Sequence, residues 1–209
     1  MEHIRKAFLP VMSPRYSQIL ANVARHVLLT PEEAADFIQL LGTQQVASGD
    51  HLLVAGARAP CLWFVVSGCV RTYATDAEGR EHNLAFSTEG WWCTDSASFF
   101  DGGRAKLTLQ ALEETDLLSL SLSDLENLCI QVPKFERFFR LLSQKGYQLL
   151  ERRLGAMLRL TAEARFIRFH QQYPRLLNRV AQKHIASYLG ITPEFLSMLR
   201  RKHTSPARS

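Results

Sequence analysis

Residues 182–201 read QKHIASYLGITPEFLSMLRR, and their types and spacing suit contact with a nucleic-acid duplex. Ile185, Ala186, Leu189, Ile191, Leu196 and Leu199 are the apolar or small positions of two short helices. Ala186 is small where the helices must cross closely, and Gly190 stands where a tight turn needs positive φ. Thr192-Pro193-Glu194 restarts a helix with a capping hydroxyl, a proline and an acid in favoured places. The pattern predicts helix, turn, helix, with the second helix over about 193–203. Such a helix can enter a major groove by its first turn. Thr192, Glu194 and Ser197 then lie on the leading face. Glu194 can accept from a cytosine amino group, and it also offsets the helix dipole. Met198 offers only apolar contact, for example to a thymine methyl. Arg200 and Arg201 sit late in the helix and, with Lys183 and Lys202, suit phosphates rather than bases.

The same spacing occurs in helical hairpins that bind no nucleic acid, so the surrounding charge carries weight. Residues 1–133 hold 9 Lys+Arg against 16 Asp+Glu, a net of −7, whereas residues 134–209 hold 16 against 4, a net of +12. A split this sharp suggests two modules, the basic one meeting a polyanion. Arg175, Arg179, His184 and His203 add to the basic set around the helical pair. Other chemistries find little support. Cys61, Cys69, Cys93 and Cys129 are scattered without a C-x-x-C, which predicts reduced thiols rather than a zinc or iron–sulfur site. The seven histidines include no H-x-H, and only His51 and His82 fall in the β-rich region. No G-x-S-x-G, P-loop or H-E-x-x-H occurs, so neither a metal site nor an enzyme is expected.

The elements that must position the helical pair follow from the hydrophobic pattern. Residues 1–29 form an amphipathic lead-in of no clear structure. Thr30-Pro31-Glu32-Glu33 opens a helix with a capping box, Ala34, Phe37, Ile38 and Leu41 follow at helical spacing, and Gly42 is expected to end it. Strands are predicted at about 43–47, 51–55, 61–67, 69–75, 81–87, 107–113 and 115–121, with hairpin turns at Ser67-Gly68 and Asp76-Ala77-Glu78-Gly79. They suggest an antiparallel roll. Ser123 is expected to cap a short helix beginning at Asp124. After Pro133 a helix runs over about 134–160, roughly 40 Å long. Phe135, Phe138, Phe139, Leu142, Leu149, Ala156 and Leu160 form one apolar stripe, interrupted by Gly146 and Arg153. Leu141, Leu150, Leu154 and Leu158 form a second. Two apolar faces need two neighbours, one in the same chain and one in a second copy. Thr161-Ala162-Glu163 opens a further helix that Tyr173-Pro174 stops near Gln172.

Taken in order, roll, long helix and helix-turn-helix, the chain resembles the CRP/FNR family of catabolite-activator-like regulators from about residue 20. The resemblance is carried by Leu62-Trp63-Phe64-Val65-Val66-Ser67-Gly68-Cys69-Val70-Arg71, which looks like the family's glycine-turn hairpin, and by Ile185 to Ser197, which looks like its helix-turn-helix. It implies an α+β fold with an N-terminal double-stranded jelly roll of the cyclic-nucleotide-binding type. It also implies a homodimer joined along the long helix, a palindromic DNA site and RNA polymerase as a further partner. By position Glu194 and Ser197 match the family's base-reading residues. Three departures stand out. Met198 replaces a common guanine-reading arginine. Thr94-Asp95 falls at the Gly-Glu pair of cyclic-nucleotide binders, and Ala105-Lys106 at their Arg-Ser or Arg-Thr pair, with Arg104 one residue away. Thr94, Asp95, Arg104 and Lys106 are therefore the candidate contacts of a small anionic effector, with cyclic AMP disfavoured. Only Thr204 to Ser209 follow the second helix, so a helix-turn-helix without a full wing is expected.

The resulting division is an effector-sensing roll over 1–133, a dimerisation helix over 134–160 and a DNA-binding unit over 161–209. Phe135, Phe138, Leu142, Gly146, Leu149, Arg153 and Ala156 are the expected dimer contacts. No apolar run approaches the ~18 residues of a membrane span, and MEHIRKAFLP lacks a signal-peptide core, so a cytoplasmic protein is expected. Two other readings use the same residues. One is a small-molecule sensor whose helix-turn-helix only packs, and the other is a cupin-type metalloenzyme.

Overall fold

The computed structural model describes residues 13–204. In chain order the strands are β1 (Gly42–Val46), β2 (His51–Leu53), β3 (Leu62–Ser67), β4 (Val70–Thr75), β5 (Glu81–Ser87), β6 (Trp92–Cys93), β7 (Thr108–Ala111) and β8 (Thr115–Leu120). They form two antiparallel sheets, ordered β1-β8-β3-β6 and β2-β7-β4-β5. Strand alternation sends Trp63, Val65 and Leu117 into the roll interior with Val46, Leu53, Val70, Leu109 and Ala111. Their neighbours Phe64, Leu118 and Leu120 face the other way.

That outer face is covered by helices. They are α1 (Pro14–Ala24), α2 (Pro31–Gln39), α4 (Leu122–Gln131) and the first turns of α5 (Lys134–Arg159), while α3 (Ser96–Asp101) lies within the roll's loops. Ile19, Val23, Phe37, Leu128, Phe135 and Phe138 close this core. The capping box at Thr30 forms as the residues require: Glu33 N–H donates to Thr30 Oγ1 at 3.3 Å, and Thr30 N–H donates to Glu33 Oε2 at 2.7 Å. The hairpin at Ser67-Gly68 depends on Gly68, whose φ is +98° and where an added Cβ would lie 2.7 Å from the Glu114 carbonyl oxygen.

Some boundaries differ from the sequence expectation. The lead-in contains α1, started by Pro14. Helix α2 stops at Gln39, and Gly42 instead begins β1, where it lies opposite Ser119. Ser121, not Ser123, caps α4, since its Oγ accepts from Asp124 N–H at 3.1 Å. The two-residue β6 and the six-residue α3 are too short to leave a periodic signal.

The C-terminal unit consists of α6 (Ala162–Gln172), α7 (Leu176–Arg179), α8 (Gln182–Leu189) and α9 (Pro193–Thr204). Phe166, Phe169, Leu176, Leu177, Ile185, Ala186, Leu189, Leu196 and Leu199 are its core, and Cys69 and Phe86 of the roll join the same cluster. Strand β5 is an edge strand, and α8 lies along it. Edge strands present unpaired donors and acceptors. Here Asn83 N–H donates to Ser187 Oγ at 3.0 Å and the Ser187 hydroxyl donates to Glu81 O at 2.9 Å. The Arg153 guanidinium of α5 donates to Asn83 O at 2.7 Å, to Leu84 O, and to Tyr188 O at 3.1 Å.

Burial raises the thiols of Cys61, Cys69 and Cys93 to about 12, and that of Cys129 to about 11. All four are free thiols, and so high a pKa leaves almost no nucleophilic thiolate at neutral pH.

Candidate nucleic-acid interface

Helices α8 and α9 form the predicted pair. Gly190 closes α8 in the left-handed region with φ +66°, and Ile191 N–H donates back to Ala186 O at 3.0 Å. Ala186 is buried at the helix crossing. Thr192 Oγ1 accepts from Phe195 N–H at 3.2 Å and so caps α9. Leu196 and Leu199 anchor α9 to the core, which leaves Glu194, Met198, Arg201 and Lys202 on the outward side.

The candidate residues do not all stand alike. Glu194 and Met198 are exposed on one face near the helix start, with Lys183 exposed on α8. Ser197 is half-buried, and its hydroxyl donates to Gln182 Oε1 at 2.8 Å, which ties the two helices together. The Thr192 hydroxyl is engaged as the cap, so both of these side chains hold the unit's shape. Arg200 reaches toward Asn178 Oδ1 at 3.5 Å. Lys202 Nζ pairs with Glu163 Oε1 of α6 at 2.8 Å, and His203 Nε2 lies 2.6 Å from the same oxygen. Arg179, counted with the basic surroundings in the sequence, is turned to the roll instead. It donates to Glu89 Oε1 at 2.7 Å, to Gly68 O at 3.1 Å and to Glu113. These carboxylates hold the guanidinium charged and keep it off any phosphate. Sequence reasoning passed over Phe195. It is exposed beside Glu194, and the signal was present, since Leu196 and Leu199 already fill the buried face of α9.

Helix α5 is about 39 Å long at 1.5 Å per residue. The stripe expected to supply the dimer contacts turns inward over its first turns. Phe135 and Phe138 have no exposed surface and belong to the chain's own core, with Leu142 packed against it. About five turns on, the helical phase brings Arg153 back over the same side, where it grips β5 and α8. Leu149 and Ala156 are half-buried, and Gly146 is exposed with open space at its Cα. Phe135, Phe138 and Arg153 are therefore engaged within the chain and unavailable to a second copy. The outward stripe contains Leu150, Leu154 and Leu158, exposed by 61%, 60% and 76%, with Tyr147 one turn before them.

The four candidate effector contacts do not converge on an open anion site. Thr94 Oγ1 donates to Cys61 O at 3.0 Å. Asp95 is only 3% exposed. Its Oδ1 caps α3 through Ser98 N–H at 2.9 Å, and its Oδ2 accepts from Lys106 N–H at 2.9 Å and Leu107 N–H at 3.0 Å. Arg104 donates to Gly56 O at 2.7 Å, and Lys106 is exposed. These residues do not fit a cyclic phosphate. A buried carboxylate already satisfies the loop's N–H donors, and the nearby guanidinium serves a backbone carbonyl.

Two facing antiparallel sheets form a roll that a long helix joins to a helical unit containing the helix-turn-helix. Residues 43–132 match the cyclic nucleotide-binding domain family. The whole architecture is the fold of the CRP/FNR-type transcription regulators. The chain is similar to FixK2 from Bradyrhizobium japonicum, at 20% identity over 81% of this chain and 89% of that one, with a TM-score of 0.69. It is similar to the catabolite activator protein of Thermus thermophilus, at 23% identity over 92% and 87% of the two chains, with a TM-score of 0.53. A CRP/FNR-family transcriptional regulator from Thermus thermophilus gives 16% identity, 78% and 86% coverage, and a TM-score of 0.62. No curated protein sequence matches the chain. No described helix is long and apolar enough to cross a membrane, and no group of three or more metal-ligating side chains occurs among the described residues.

Proposed function

We propose that this chain is a sequence-specific DNA-binding transcription regulator of the CRP/FNR type, acting as a cytoplasmic homodimer with RNA polymerase as a further partner. The observation that carries the reading is the outward face of α9. It presents Glu194, Phe195 and Met198 near its start and Arg201 and Lys202 near its end. Base-edge groups thus lead and phosphate groups follow, which is the order a recognition helix needs. Glu194 and Met198 are the proposed base contacts, and Lys183, Arg200, Arg201 and Lys202 the proposed phosphate contacts. Thr192 and Ser197 hold the helix at its entry angle.

The outward stripe of α5 supports the reading. A row of exposed leucines on a long helix is apolar surface that a second copy would remove from water. A small-molecule sensor that binds no DNA is the weaker reading, since the roll's candidate anion contacts are engaged with one another and with the backbone. Selection from a pool of randomised duplexes tests the proposal. The expected result is a two-fold symmetric site with half-sites centred about one or two helical turns apart. Recovery of no enriched sequence would overturn it.

A further inference from the structure

The contact between α8 and β5 contains a buried charged group that links side chains of the roll to the helix-turn-helix. Arg71 of β4 is 3% exposed and lies at the seam. Its Nε donates to Gln110 Oε1 at 2.7 Å, and its Nη1 lies 2.5 Å from Glu81 Oε2 and 3.0 Å from His184 Nδ1. The guanidinium also stacks over the Tyr73 ring, 4.0 Å from its centroid. A guanidinium can only donate. His184 Nδ1 must therefore accept, which fixes the imidazole as neutral with its proton on Nε2. On the other side of the ring's backbone, Asn83 Nδ2 donates to His184 O at 3.3 Å.

We propose that this seam is an acid-released latch, in which protonation of His184 frees the helix-turn-helix unit from the roll. Protonation would place an N–H at Nδ1 against the Arg71 N–H at hydrogen-bonding distance, so two donors and two positive charges would face each other. The charges around the ring are Arg71 from β4, Glu81 from β5 and Lys183 beside it on α8. Arg153 of α5 holds the adjoining carbonyls of Asn83 and Leu84. Glu81 alone favours the imidazolium, and it is already paired with Arg71, which keeps its carboxyl below the ordinary range. The groups that part on release are the edge of β5, the Ser187 hydroxyl and the imidazole, which water can satisfy. The Cys69 and Phe86 contacts to the helical unit and the Arg179 pairs with Glu89 and Glu113 part as well, and the latch must work against them.

The sign follows from linkage. In the docked state burial, with Arg71 and Lys183, lowers the His184 pKa from 6.5 to about 4. A base whose pKa is lowered by docking stabilises the docked state fully above its free value, and that stability is lost as pH falls from about 6.5 toward 4. Docking should weaken about tenfold by pH 5.5.

The inference goes beyond DNA recognition, and its test uses no DNA. Hydrogen exchange of the full chain is compared at pH 7.5 and pH 5.5, with rates corrected for intrinsic pH dependence. The expected result is loss of protection in β5 and α8 at pH 5.5, with the core of α1, α2 and α4 unchanged. His184→Gln retains an acceptor and cannot titrate, so its protection should not change between the two pH values. His184→Lys should show the low-pH pattern at pH 7.5. The imidazole titration of His184 in the unaltered chain, followed by NMR, gives a readout that needs no variant. A midpoint well below 6 is expected. An ordinary midpoint, or protection in β5 and α8 that does not depend on pH, would overturn the latch.

Discussion

Leu154→Glu should convert the proposed dimer to a monomer of 23.7 kDa. Leu154 is exposed between Leu150 and Leu158 on the outward stripe of α5 and touches neither core of its own chain. The substitution should therefore leave the monomer's fold intact. In a two-fold interface each change occurs twice, so two carboxylates would be buried without partners. Burial of an unpaired charge of this kind costs several kcal/mol, so the dimer should weaken at least about a hundredfold. Sedimentation velocity over a concentration series reads the result. An unchanged dimer would remove the stripe from the interface. Leu142→Glu, which the sequence alone nominates, is a poorer probe. Leu142 packs against the core that contains Phe135 and Phe138, so its loss would mix unfolding with dissociation.

The second large effect concerns specificity. Glu194→Ala should relax the base preference at one position of each half-site by about 1–3 kcal/mol, roughly 5- to 150-fold per half-site. Glu194 is exposed at the start of α9, so the change should act mainly on DNA and cost the fold no more than the dipole contribution of about 0.3–1 kcal/mol. Competition binding among duplexes that vary one base pair at a time is the measurement. An unchanged preference at every position would place Glu194 outside the base-reading set, leaving it only the dipole-offsetting role.

Much of this architecture is legible in the residues themselves. The capping box at Thr30, the Gly68 turn and the α8–Gly190–α9 pair are local, and each depends on a few side chains acting on adjacent backbone. The strands are legible for the same reason, because alternation in β3 and β8 splits Trp63 from Phe64 and Leu117 from Leu118. What the sequence withholds is which partner each side chain meets across the chain. Two apolar stripes on α5 can be read, but which one faces inward is set by how Phe135 and Phe138 meet Phe37 and Trp92. Arg153 reads as a dimer contact and Arg179 as part of the basic surroundings of the helical pair, and only the docked roll reveals the carbonyls and carboxylates that hold them. The sequence raises Thr94, Asp95, Arg104 and Lys106 as an anion site by position alone, whereas Thr94 and Arg104 serve the Cys61 and Gly56 carbonyls and Asp95 accepts from the Lys106 N–H.

The central claim is that paired copies of α9 grip adjacent turns of a duplex through basic side chains. Binding to the selected site, measured across a series of salt concentrations, tests it most directly. Lys183, Arg200, Arg201 and Lys202 in two copies predict a log–log slope of about −7, from about −0.9 per phosphate neutralised. Arg201→Ala should make that slope shallower by about 2. Affinity indifferent to salt, or a slope unchanged by the loss of Arg201, would contradict the account.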